Sequence, residues 1–287
     1  MSNWNTILAP VLQSEKMQEI KAFLKAERAT KKIYPDGKDV WRAFDLCQFD
    51  MTRVVIIGQD PYHNGTADGL AFSSRGSERP KSLEIIFKEV YRDLNIQYYY
   101  NQTFDEYFTT SNLEKWARNG FLLLNTALTV EEGKPGSHKD IGWDIVIKTA
   151  IQALNEKGKI IFLLWGKEAQ EYAPMINASN KNVFFTAAHP AAELYKENSG
   201  FLGCRHFSIV RDCLPILDGI NLFPSLGLDA CFDKEKAKSI VKTHYPAEAD
   251  HLCEYIDKEM IIQLPINKDA YFLECRRFEK MLSTKYE

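Results

Sequence analysis

A chain of 287 residues is long enough for one large domain, or one domain with an appendage, and 45% hydrophobic with 26% charged residues is an ordinary globular balance. The net charge of −3 excludes a protein that coats nucleic acid by bulk attraction: residues 218–287 carry 13 acidic and 10 basic side chains, leaving 26 of each sign in residues 1–217, so any DNA contact needs a local patch. The sequence contains no run of about 18 apolar residues and no secretory pattern behind Met1, and its six scattered cysteines lack metal-ligand spacing; these features point to reduced thiols in a cytoplasmic protein without a membrane span.

In chain order, Gln13–Arg28 has helical periodicity, with Met17, Ile20, Phe23 and Leu24 on one face. Val54-Val-Ile-Ile57 reads as a buried strand that breaks at Gly58-Gln-Asp-Pro. Ser82 is an N-cap candidate for a helix through Val90. Phe121–Asn125 is a second strand, Trp143–Leu154 a helix with Ile147, Ala150 and Ile151 inward, and Ile160–Gly166 a third strand. Lys167–Tyr172 opens another helix, Val183–His189 is a fourth strand, and a helix runs from about Arg205 to Leu217. Alternation of helices with apolar strands predicts an α/β fold: a central four-stranded parallel sheet flanked by helices on both faces. Residues 1–217 then form the main domain. Residues 218–287 form a C-terminal helical extension, with candidates near Asp233–His244, Ala247–Ile261 and Asp269–Leu282 separated by Pro246 and Pro265.

A parallel sheet delivers all its strand carboxyl ends to one edge, where open α/β sheets bind ligands. Those ends carry Gln59-Asp-Pro-Tyr-His63, Asn125, Trp165-Gly-Lys167 and His189-Pro190. Each residue alone has a bland reading: Asp60 and Asn125 as turn formers, His189 as a satisfied structural histidine. Their coincidence on one edge favours a site. No phosphate-binding Gly-rich loop, metal cluster or Ser/Cys nucleophile with an evident base partner is present, so neither metal nor cofactor is expected. A carboxylate facing an imidazole suits departure of an anionic group from a cationic sugar.

At these positions the chain closely resembles the family 1 uracil-DNA glycosylases. The matching segments are Gly58-Gln-Asp-Pro-Tyr-His63, Gly69-Leu-Ala-Phe-Ser73, Leu123-Leu-Asn-Thr-Ala-Leu-Thr-Val130, Ser137-His-Lys-Asp-Ile-Gly-Trp143, Leu163-Leu-Trp-Gly166, His189-Pro190 and Gly203-Cys-Arg-His-Phe-Ser208. The resemblance implies a hydrolase that flips uracil out of single- or double-stranded DNA and cleaves its glycosidic bond, leaving an abasic site. Asp60 would position water and stabilise the sugar cation, and neutral His189 would donate to uracil O2. Asn125 would read the O4 and N3–H edge, Phe72 would stack on the base, Tyr62 would stand where a thymine methyl would go, and Gln59 would line the pocket through its backbone. The family's DNA-gripping loops point to His63, Pro80, Ser82, Gly166, Lys167, Leu194 and Arg205 as DNA-binding residues. The resemblance also implies DNA-mimicking inhibitor proteins as partners, and a monomer.

The chain departs from the family in several places. The proline-rich loop is reduced to Arg79-Pro-Lys-Ser82, and Lys167 replaces a serine, either as a charged phosphate contact or as a solvated helix-start lysine. After His189 stands Pro-Ala-Ala-Glu-Leu194, in a loop about two residues longer than usual. Leu194 and Tyr195 are both candidates to fill the gap left by the flipped base, whereas Glu193 beside phosphates would be unfavourable. The extension's stripe of Phe272, Cys275, Phe278, Met281 and Leu282 reads as packing against the main domain, or else as a partner surface. The alternative function is a DNA-binding replication accessory with weak or no glycosylase activity.

Overall fold

The structure is a computed structural model that describes residues 3–97 and 103–218. Helices α1 (Trp4–Gln13) and α2 (Glu15–Thr30) lead to the short strand β1 (Ile33–Tyr34), helix α3 (Arg42–Leu46) and strand β2 (Val54–Gly58). Helices α4 (Lys81–Asp93), α5 (Phe104–Tyr107) and α6 (Glu114–Arg118) precede β3 (Phe121–Asn125) and β4 (Val130–Glu131). Helix α7 (Asp144–Lys157), strand β5 (Ile161–Trp165), helix α8 (Lys167–Gln170), strand β6 (Val183–Ala187) and helix α9 (His206–Asp218) complete the described chain.

The main sheet has the order β3-β2-β5-β6 and every pairing in it is parallel. Every residue of β2, β3 and β5 is buried, as continuous apolar runs require when helices cover both faces. Residues Leu83, Ile86 and Val90 of α4 and Val146, Ile147, Ala150 and Ile151 of α7 belong to the same core. Each buried leucine or isoleucine there contributes about 1.5–3 kcal/mol. Strand β6 differs: as an edge strand it leaves Val183 and Phe184 exposed. Its apolar run is therefore not covered along its length as the pattern predicts, whereas that of β3 at the other edge is.

Local chemistry moves several predicted boundaries. The helix predicted over Gln13–Arg28 is α2, which is preceded across Ser14 by the unpredicted α1, and the Ser14 hydroxyl caps α2 by accepting the Met17 N–H at 3.2 Å. The first of the two is capped by Asn3, which accepts the Thr6 N–H at 2.9 Å. Ser82 is not the N-cap of α4. Pro80 occupies that position without a side-chain cap, and Ser82 is the second helical residue. A small antiparallel sheet, β1 with β4, was not anticipated, because two-residue strands carry no periodicity to read. The helix candidates and apolar stripe of the extension lie outside the described residues.

Candidate active site

In β2 and β3, Gly58 is paired in register with Asn125, which puts the two strand ends side by side. A Cβ on Gly58 would run into Asn125 Oδ1 and would lie 3.5 Å from Phe72 Cε2, so the bare glycine leaves room for an amide and an aromatic ring at one spot. Asn125 is only 5% exposed, yet its carboxamide makes no side-chain hydrogen bond among the described residues. A buried amide left unpaired costs stability unless something else meets it.

Phe72 is held in a backbone conformation that bulky residues avoid, with φ +63°. Its neighbours over-determine that geometry. The buried Asp68 carboxylate accepts the Leu70 N–H at 3.2 Å, the Ser73 hydroxyl at 2.7 Å and the Asn112 amide at 3.0 Å, while the Ala71 N–H donates to Leu123 O at 3.1 Å. Strain of about 1–3 kcal/mol stored this way is characteristic of functional sites. The Phe72 ring lies 5.8 Å from the His189 ring and 5.6 Å from Trp165. Trp165 in turn donates its indole N–H to His206 Nδ1 at 2.9 Å, where burial holds His206 neutral with its pKa down at about 4. Tyr62 closes the other side, its hydroxyl donating to Phe72 O at 3.3 Å.

His189 caps the short 3-10 turn Pro190–Leu194, and the Ala191 N–H donates to its Nδ1 at 3.1 Å. An Nδ1 that accepts a hydrogen bond must be unprotonated, so the neutral ring carries its proton on Nε2 and offers it as a donor. Burial lowers the His189 pKa and Glu168 raises it in part, with the net shift downward. Asp60 shifts the opposite way: burial raises its carboxyl pKa, against the Gly136 N–H that donates to Oδ2 at 2.6 Å and the nearby His63. Glu168, paired with Lys139 at 3.2 Å, raises the pKa of both Asp60 and His189. The Gln59 carbonyl is occupied by the Ala127 N–H and the Thr126 hydroxyl, which leaves the Gln59 N–H as its free backbone group among the described residues.

Phe72 thus has Tyr62 and His189 beside it and Asn125 across Gly58, with Asp60 and Gln59 on the turn that follows Gly58. The remaining predicted residues border this group less directly. Gly166 lies beneath His189, and a Cβ there would come within 2.9 Å of His189 Cβ. Lys167 is exposed at the start of α8, Pro80 and Ser82 stand half-buried at the start of α4, and Leu194 is exposed after His189. Arg205 has a left-handed backbone (φ +60°) and a side chain 71% exposed, 4.0 Å from Asp93. Asp68 and Glu168 were not found from the sequence. Asp68 sits one residue before the Gly69–Ser73 motif, but only the folded turn reveals its three acceptor contacts.

The family model described as "Uracil DNA glycosylase superfamily" matches residues 44–212, the stretch that supplies the whole main sheet and every predicted site residue. The chain is 42% identical over 209 residues to a uracil-DNA glycosylase of Lactobacillus delbrueckii subsp. bulgaricus, covering 72% of this chain and 87% of that one. It is 44% identical over 215 residues to a uracil-DNA glycosylase of Coxiella burnetii, covering 74% and 90%. Among solved structures, mimivirus uracil-DNA glycosylase superposes with a TM-score of 0.66 at 20% identity, over 77% of this chain and 85% of that one. A single-residue variant of the mimivirus protein was crystallised in complex with UGI. At such identity the structural likeness speaks to the fold alone, and it is the sequence matches through the strand-end motifs that make this chain a member of the uracil-DNA glycosylase superfamily.

Proposed function

We propose that this site receives an extruded uracil, with Asn125 reading its edge, Phe72 stacking on its face and Tyr62 barring a methyl at C5. The chain is a DNA repair hydrolase acting on N-glycosyl bonds; the proposal concerns which residues do the work. One observation carries it. The Asn125 carboxamide is buried and unpaired beside the Phe72 ring, and one amide offers both the acceptor that N3–H needs and the donor that O4 needs. Cytosine presents the reverse pattern at those two atoms. The Gln59 N–H and the His189 Nε2–H supply donors for O2.

As the glycosidic bond breaks, its electron pair leaves with uracil N1 and charge accumulates at O2. A neutral imidazole whose Nδ1 is occupied by the Ala191 N–H meets that charge without first having to lose a proton. Asp60, ionised and oriented by the Gly136 N–H, stabilises the sugar cation and aligns the water that attacks C1′. Extrusion costs a few kcal/mol, and stacking on Phe72 recovers roughly 1–3 kcal/mol of it. His63, Pro80, Ser82, Gly166, Lys167, Leu194 and Arg205 make the surface that meets DNA. The exposed Arg205 and Lys167 side chains support this reading because the net charge cannot provide the attraction.

The same reading takes residues 1–217 as the catalytic unit, residues 218–287 as an extension and the working form as a monomer. A reducing, cytoplasmic setting accords with Cys47 and Cys204, whose thiols burial pushes up to about 11 and about 12. DNA-mimicking inhibitor proteins would compete for the same surface, as the UGI complex of the mimivirus relative suggests.

The test is uracil release from a single-uracil oligonucleotide, single- and double-stranded, in excess EDTA, with Asp60→Asn alongside. Rapid cleavage by the unaltered chain, reduced at least about 10²-fold in the variant while DNA binding persists, is expected. A mild effect of Asp60→Asn would remove Asp60 from the role given to it.

A further inference from the structure

His138 is a buried histidine that the proposed chemistry does not use. It is 2% exposed, and its Nδ1 lies 2.8 Å from the Thr129 hydroxyl. That hydroxyl, itself fully buried, accepts the Trp143 indole N–H at 2.9 Å. Its own proton has no other acceptor among the described residues, so it goes to Nδ1, and the His138 ring carries its proton on Nε2. Burial lowers the His138 pKa, against Glu27 and Glu131, which keeps the ring neutral. Nε2 is then a buried donor without a hydrogen-bond partner among the described residues, and the nearby Phe23 ring, its centroid 5.4 Å away, stands nearly perpendicular to the imidazole. An orphaned buried N–H costs stability. A fold that needed only a packed side chain here would be better served by an apolar one, so the ring is kept for what its other nitrogen fixes.

What it fixes is close in sequence. Between Glu131 and Ile141 every residue is exposed or half-buried except His138, so this loop takes its position from a single buried side chain. Within it, Lys134-Pro135-Gly136-Ser137 is a tight turn closed by the Ser137 N–H on Lys134 O at 3.2 Å, with proline second and glycine third. Such a turn leaves its third N–H unused, and that of Gly136 donates to Asp60 Oδ2 at 2.6 Å. The Ser137 hydroxyl ties the turn back to β4 by accepting the Glu131 N–H at 2.8 Å, and the chain then runs directly into His138.

We propose that His138, held through Thr129 by Trp143, is the positioning residue that seats the Pro135-Gly136 turn and so aims the Gly136 N–H at Asp60. This deepens the glycosylase reading and rests on the place of Asp60 in it. The carboxylate is fixed before DNA arrives and needs no reorientation as positive charge develops on the sugar. The relay itself lies in the protein interior, so its loss should be felt in the chemical step and not in DNA binding.

The experiment pairs single-turnover uracil release, with the enzyme in excess over DNA, with an NMR titration of the Asp60 carboxyl assigned against Asp60→Asn. Both are run on the full chain and on His138→Leu, His138→Asn, Thr129→Val and Phe23→Leu. A carboxylate that loses an N–H donor binds its proton more tightly. His138→Leu and Thr129→Val should therefore raise the Asp60 pKa by about 0.5–1, the share of one donor when two or three take a carboxyl from about 3.9 to below about 2. They should also slow release about tenfold or more with half-saturation little changed. His138→Asn keeps an oxygen near the Nδ1 position and should recover part of both effects. Phe23→Leu removes the ring contact but not the relay, and should lower Tm with both readouts near the unaltered values. The charged groups that act on His138 (Glu27, Glu131, Lys31, Arg28) and on Asp60 (His63, Glu168) are the same in every variant, so a shift at Asp60 reports the Gly136 contact. An Asp60 pKa unmoved in His138→Leu, or moved equally in Phe23→Leu, overturns the inference. If His138→Leu does not fold, Thr129→Val decides on the same terms. Failure of the unaltered chain to release uracil would instead bring down the glycosylase reading, while the titration would still test the seating of Asp60.

Discussion

Replacing Gly166 by alanine tests whether the end of β5 seats the His189 imidazole. Gly166 has φ 88° and ψ 168°, a region open essentially to glycine alone, so any side chain there costs about 1–3 kcal/mol. For a domain of this size that corresponds to a fall in Tm of about 2–12 °C. The second effect is local. The new Cβ would sit 2.9 Å from His189 Cβ, whereas carbons pack at roughly 3.5–4.0 Å, so one must give by about 0.6–1.1 Å. Displacing a positioned group by about that much can cost about 10²-fold in rate. Single-turnover uracil release with the enzyme in excess over DNA isolates this step, and a thermal melt measures the first effect. The expectation is a loss in kcat of about two orders of magnitude with KM little changed. A raised KM with kcat intact would refute the packing argument and mark Gly166 as a DNA contact only.

The proposed mechanism needs Asp60 ionised and His189 neutral. Burial raises the first above its ordinary 3.8 and lowers the second below its ordinary 6.5. The kcat/KM profile should fall on acidification, with the His189 transition below pH 6.5; a His189 transition above pH 6.5 would contradict the environment assigned to it. Tyr62→Ala should admit thymine, with a residual preference for uracil of about 10–200-fold, the discrimination an apolar pocket provides for one methyl. Thymine release no greater than in the unaltered chain would show that Tyr62 is not the wall.

Much of this was legible before folding because the strands are short, β-branched and bounded by breakers, and because the chemistry-bearing residues follow those breaks directly. Asp60, Asn125 and His189 could be assigned to one edge from parallel topology alone, and the sheet order bears that out. The α1 helix escaped because an internal Pro10 and the Ser14 cap interrupt its pattern, and the predicted cap at Ser82 lies two residues late because Pro80 has already opened the helix. Other features could not be read at all. The strained Phe72, its Asp68 support and the His189 tautomer depend on backbone N–H groups brought together by the fold, and a backbone N–H is the same at every residue but proline. Residue types and their order along the strand ends determined which chemistry this chain can perform. Tertiary structure alone decided which hydrogen bonds each of those side chains makes, and hence its protonation state and direction, because hydrogen bonds and desolvation depend on distances between segments that the sequence keeps apart.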